Sequence, residues 1–184
     1  MSRGGRDEAG GSEGAWPERA AAIADPALPP GPLPRALMLE VFQHARECYP
    51  EECCGLLIGP EAAPLPTRFV RCTNVQSQRR SKGESELDAR HGFWIDEQEL
   101  LQALRTAEEH GEALRVVYHS HIDTPAYLSH SDLQGAVGPD GSPLWPGVAH
   151  LVVSVREDGV HEAAVFDWSE EAGSFLGRVV QETG

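Results

Sequence analysis

Leu114 to Tyr118 reads Leu-Arg-Val-Val-Tyr and runs without a break into His119-Ser120-His121. Its apolar, β-branched character and its lack of turn residues predict a buried strand. Alternate residues of a strand face the same side, so His119 and His121 project together and present two imidazoles to one point. Around this strand, predicted helices and strands alternate with no internal repeat, which predicts a single α/β (α+β) domain. A length of 184 residues suits one such domain and is too short for two enzyme-sized domains in series.

Upstream, residues 1–33 are rich in Gly, Ala, Pro and charge and contain no apolar stretch resembling a secretory signal. They predict a disordered tail, with the folded domain spanning 34–184. After Pro34, the spacing of Met38, Val41, Phe42, Ala45 and Tyr49 predicts a core-facing helix that Pro50 ends. Cys53 to Ile58 and Thr67 to Cys72 read as strands, and Asn74 to about Arg90 as a long polar loop carrying Arg79, Arg80 and Lys82. Asp96, with Glu99 three residues on, makes a capping-box-like start for a helix with a stripe of Leu100, Leu101, Leu104 and Ala107. Ser129 to Val137 predicts a short helix, and 148–155 and 160–166 predict strands joined by a tight turn. The segment 173–181 suits either helix or strand.

Charge narrows the partners. Lys and Arg number 15 against 29 Asp and Glu, a formal charge of −14 that repels phosphate backbones and anionic lipid surfaces. Nucleic acid and membrane are therefore not expected partners. No run approaches the roughly 20 apolar residues of a membrane span. The four cysteines, Cys48, Cys53, Cys54 and Cys72, form no CxxC pair, which suits free thiols and a cytoplasmic location. Cys54 reads as a packed thiol rather than a nucleophile, since no positioned base accompanies it.

The chemistry concentrates after the strand. After seven intervening residues beyond His121 comes Ser129 and, three further, Asp132, where a carboxylate one turn into a helix could complete a His, His, Asp set. Three protein ligands leave a fourth position for water, the catalytic rather than the structural arrangement for zinc. Each half also has a plain reading. A His-x-His at a strand end is commonly a pair of hydrogen-bonded imidazoles, and S-x-x-D opening a helix is a capping box. The full pattern, however, should arise by chance in only about one in a thousand chains of this composition.

The pattern H-x-H-x7-S-x2-D formed by His119, His121, Ser129 and Asp132 resembles that of the JAMM, or MPN-plus, zinc metallopeptidases. The family's upstream glutamate before a hydrophobic strand, in a context like P-x-E-x-C-G-L-L-x-G, is matched by Pro50-Glu51-Glu52-Cys53-Cys54-Gly55-Leu56-Leu57-Ile58-Gly59, with Glu52 at the family position. Asn74, the segment 93–96 and the strand from His150 to Val155 resemble the family more loosely. Ile122 and Leu128 depart from it, standing where many members have proline.

The resemblance implies a central mixed β-sheet flanked by helices, of the cytidine-deaminase-like kind. It implies one catalytic Zn²⁺ held by His119, His121 and Asp132, with Glu52 as general base and Ser129 as oxyanion donor, a contact worth roughly 2.7–4 kcal/mol. Glu51 is the rival base, but adjacent strand residues point to opposite faces and only one should reach the metal. Asp123 and His130 are expected at the surface, Asp123 with an outside role in orienting an imidazole. The compact form resembles the prokaryotic branch. It implies hydrolysis of a peptide, isopeptide or amino-acid adduct bond after the C-terminal Gly-Gly of a ubiquitin-like sulfur-carrier protein. A noncatalytic scaffold of the same fold is the alternative, and the intact five residues argue against it. A DNA-repair relative is disfavoured by the charge. A zinc nucleobase deaminase is disfavoured by the missing His-x-Glu and Pro-Cys-x-x-Cys signatures.

Overall fold

The computed structural model describes residues 20–184. Its centre is a seven-stranded mixed sheet built from β2 (Gly31–Pro34), β3 (Cys54–Pro60), β4 (Arg68–Cys72), β5 (Glu112–Ile122), β7 (Ala149–Arg156), β8 (Gly159–Ser169) and β9 (Ser174–Thr183). The spatial order is β2-β9-β8-β7-β5-β3-β4. The pairs β5 with β7 and β2 with β9 are parallel and the rest antiparallel. A small second sheet pairs β1 (Ala20–Ala22) with β6 (Leu128–Ser129).

Strands β3 and β5 are interior, which explains why β3 reads as a continuous apolar run rather than an alternating one. Helix α1 (Arg35–Cys48) lays Leu37, Met38, Val41 and Ala45 on one face of the sheet, against Leu57, Tyr118, Leu151 and Val153. Helix α3 (Glu97–Glu109) covers part of the other face with Ala103 and Ala107, against Leu56, Ile58 and Leu114. Beside it, α4 (His130–Ala136) and β6 pack Ala136 and Leu128 on Val152, Ala164 and Phe166. Among the described residues no helix is long and apolar enough to cross a membrane.

Gly55 of the C-G-L-L segment has a steric reason. A Cβ there would lie 2.3 Å from both the Tyr118 hydroxyl oxygen and the Val70 carbonyl oxygen. Tyr118 is fully buried and hydrogen-bonds His44 Nδ1 at 2.8 Å. The imidazole can accept because burial, with help from the Arg71 charge, lowers its pKa to about 4. Neither neighbour can retreat cheaply. Gly55→Ala should therefore cost about 2–3 kcal/mol in urea unfolding, an overpacking effect, and a loss under about 0.5 kcal/mol would refute this account.

The structure corrects three expectations and decides between the two readings left open for the C-terminal segment. Residues 20–34, expected in the tail up to residue 33, supply β1 and β2; residues 1–19 lie outside the described residues. The Pro-rich segment Gly31–Pro34 fits because it forms the edge of the sheet, where a missing N–H is harmless. Within the expected loop, Gln76–Ser81 forms helix α2. Asp96 does cap α3 through Gln98 N and Glu99 N, but Glu99 closes no box: its carboxylate accepts from Thr73 N and Oγ1. The C-terminal segment is a strand. All four cysteines are free, and burial pushes the Cys53 and Cys72 thiols up to about 12.

Candidate metal centre

His119 and His121 leave the same face of β5, and each ring is held differently. His119 is fully buried in the middle of the sheet, opposite Cys54 on one side and Val152 on the other, with its ring stacked on Phe93 at 4.3 Å. His121 donates from Nδ1 to the Pro125 carbonyl at 3.1 Å, which leaves Nε2 free to turn inward, and Tyr127 packs edge-on against its ring. The loop between β5 and β6 is tied down in turn. Asp123 N bonds Val155 O, Ser154 Oγ donates to Thr124 O, and Glu162 accepts from Ala126 N.

Asp132 arrives from the first turn of α4, where the capping box is real. Ser129 Oγ accepts from Asp132 N at 3.1 Å, and Asp132 Oδ2 accepts from Ser129 N at 2.8 Å. The same oxygen faces both imidazoles, lying 3.4 Å from His119 Nε2 and 3.4 Å from His121 Nε2, while the two nitrogens are 3.2 Å apart. The structural and the ligand readings of S-x-x-D therefore hold together, the cap being what aims the carboxylate. Ligands on a tetrahedral ion at 2.0–2.1 Å stand about 3.3–3.4 Å from one another, so this triangle fits a metal with no rearrangement.

Protonation agrees with the fit. Burial holds His119 below the ordinary histidine range, so it is a neutral donor. Burial works against the Asp132 carboxylate, but the two imidazoles beside it keep it well below the usual carboxylate range. A neutral imidazole and an ionised carboxylate are the forms a metal requires.

Glu52 lines the same cleft as His121, Ser129 and Asp132 and is buried, whereas Glu51 is exposed. Both precede β3 rather than lying in it, so the separation comes from local anchoring and not from strand alternation. Glu52 N donates to Ala89 O, and its carbonyl accepts from Asn74 Nδ2. Ser120, between the two histidines, accepts from Cys53 N. Asn74 spends its whole amide here: Nδ2 also donates to Gly92 O, and Oδ1 accepts from Gln76 N and Trp94 N.

Asp123 is exposed and orients no imidazole; it pairs with Arg90 at 2.5 Å. His130 is exposed. Arg79 stacks on Trp94 at 3.8 Å and pairs with Glu84, and Arg80 pairs with Asp88, so the positive charge of this segment is largely compensated. Sequence reasoning missed the contributions of Arg90, His91 and Tyr127 to the cleft, since neither periodicity nor spacing joins 90, 91 and 127 to 52.

A mixed sheet that aims two imidazoles and a carboxylate at one point defines a protein with a three-ligand group that could hold a metal ion beside a cleft. Residues 34–169 match the family of prokaryotic homologs of the JAB domain, and the chain belongs to that family. It is 33% identical over 126 residues to the CysO-cysteine peptidase of Mycobacterium tuberculosis, covering 68% of this chain and 74% of that protein. It is 33% identical over 112 residues to the desampylase of Pyrococcus furiosus, covering 61% and 64%. A solution structure of a protein from Desulfitobacterium hafniense shares the fold, with a TM-score of 0.60 at 22% identity over 83% of this chain and 92% of that one.

Proposed function

We propose that the chain is a zinc-dependent hydrolase that cuts the bond after the C-terminal Gly-Gly of a ubiquitin-like sulfur-carrier protein in the cytoplasm. The observation that carries the reading is the triangle of His119 Nε2, His121 Nε2 and Asp132 Oδ2 beside a cleft walled by Glu52 and Ser129. Two nitrogens and one carboxylate oxygen suit Zn²⁺, with one position left open. The two curated relatives supply the substrate class, since one is named for CysO-cysteine and the other for removing a modifier.

When bound, the ion supplies Lewis acidity that brings a water toward neutral pKa and polarises a carbonyl. Glu52 takes the proton of the attacking water as its oxygen adds to the glycine carbonyl carbon, then passes that proton to the leaving nitrogen as the C–N bond breaks. The products are a carrier ending in a glycine carboxylate and a free amine. Ser129 Oγ now donates to Asp132 Oδ2 at 2.6 Å and shares a hydrogen bond with Ser131 Oγ. Rotation of that hydroxyl turns its proton toward the oxyanion that develops on the carbonyl. Glycine at the cut suits the site because a chain without side chains can lie extended against it.

The test is incubation of the zinc-loaded protein with Gly-Gly-ended carriers, CysO among them, each bearing a short C-terminal extension, followed by intact mass measurement. The expected result is loss of the extension's mass from at least one carrier, with the cut after the second glycine. No loss across the panel would instead support a noncatalytic scaffold.

A further inference from the structure

Two cavities meet at the candidate centre and share Ser131 and Asp132. One is a groove of about 540 Å³ whose walls include Phe93, Trp94, Leu144 and Trp145. The other is the cleft beside Glu52, His121 and Ser129, only about 50 Å³. Arg90 is the one permanent cation among the described residues that line this smaller space, with His91 next to it. In a chain of formal charge −14, a guanidinium at that position calls for a reason.

Its aim is fixed from outside the cleft. Arg90 Nη2 donates to Asp123 Oδ2 at 2.5 Å, and Nη1 donates to the Pro50 carbonyl at 3.4 Å. Asp123 sits in the left-handed backbone region, with φ of 57°, and the Tyr49 hydroxyl lies 3.4 Å from each of its carboxylate oxygens. A guanidinium has five N–H donors in one plane, so these contacts orient Arg90 and leave donors for a second acceptor.

Hydrolysis separates a carrier from an amine, and the two cavities differ as those products do. The groove is the roomier and is walled largely by apolar side chains; the cleft is narrow and polar and carries Arg90. What the last residue of a polypeptide carries, and a residue inside a modified protein does not, is a free α-carboxylate. Resting on the function proposed above, we infer that the small cleft is the leaving-residue subsite, where Arg90 binds the α-carboxylate of a single C-terminal amino acid. The enzyme then removes one residue from a carrier and is a poor isopeptidase. A planar guanidinium reads a carboxylate through paired N–H···O bonds, which a carboxamide cannot accept in the same way.

The experiment compares two forms of one probe, CysO extended beyond Gly-Gly by a single cysteine, with either a free C-terminal carboxylate or a C-terminal carboxamide. The zinc-loaded wild type should cleave the acid with kcat/KM about 10- to 100-fold above the amide, the range for one hydrogen bond to a charged group. Arg90→Gln should lower cleavage of the acid by that factor, leave the amide nearly unchanged and bring the ratio close to one. A merely structural role for Arg90 would depress both substrates together. Equal cleavage of acid and amide by the wild type, which needs no variant, or an unchanged ratio in Arg90→Gln, overturns the subsite while leaving the hydrolase reading intact. Cleavage of neither probe overturns the subsite, and no loss across the carrier panel as well refutes both.

Discussion

Glu52→Gln should keep its metal and lose about 10²- to 10⁴-fold in turnover, the range that positioned general bases contribute. The substitution preserves shape and removes only the capacity to take a proton. The anchors that hold this residue in the cleft are main-chain bonds, from Glu52 N to Ala89 O and from Asn74 Nδ2 to the Glu52 carbonyl, and neither depends on the carboxylate. Zinc stoichiometry and circular dichroism of the variant should match the wild type, while mass spectrometry of a cleavable carrier shows almost no product. Glu51→Gln, changed at an exposed position, should behave as the wild type. Full activity in Glu52→Gln, with loss in Glu51→Gln, would reverse the assignment.

Removing a ligand should have the other large effect, this time on the metal itself. His119→Ala, His121→Ala and Asp132→Asn should each retain less than about a tenth of the wild-type zinc after dialysis, because two protein ligands do not hold the ion against water. The choice of Asn at 132 matters. Alanine there would also remove the half of the capping box in which the side chain at 132 accepts from Ser129 N, whereas an amide oxygen can still accept that bond. A second readout separates binding from folding. A ligand that binds the native state raises its stability by about 2.7 kcal/mol at a hundredfold excess over Kd, so zinc should raise the melting temperature of the wild type and not that of the variants. Undiminished zinc in all three variants would refute the ligand set.

The parts of the fold that could be read from the chain are those where periodicity and burial coincide. Met38, Val41 and Ala45 mark α1 at helical spacing and are fully buried, and the run through Val116 and Tyr118 is the interior strand β5. Strand alternation puts His119 and His121 on one face of β5 and Asp132 lies one turn into α4, but the loop that brings the three together is held by Ser154 and Glu162, which no local spacing joins to it. What escaped depends on residues distant in sequence or weak in pattern. Ala20-Ala21-Ala22 has no alternation to signal a strand; only Leu128 and Ser129 make it one. Gln76–Ser81 has no apolar stripe, and the Arg79 contacts with Trp94 and Glu84 help hold it. The pairing of Arg90 with Asp123 spans 33 residues, and no local rule foretells it.

The two ends of the described chain meet behind the centre. Ala20 and Ala22 pair with Ser129 and Leu128, and Asp25 N bonds Gly177 O, where a Cβ would lie 2.2 Å from Ile23 O, so only glycine admits this approach. Nearby, Gly31 to Pro34 run parallel to Val180 to Thr183. These contacts join the first described residues to the last strand, across the greatest sequence separation the domain contains. Loop-closure entropy makes such contacts slow to form, and on a ribosome the partner strand β9 emerges after every other strand of the sheet. The backbone that braces Ser129 is thus completed last, and a nascent chain holds both histidines well before it holds a finished site.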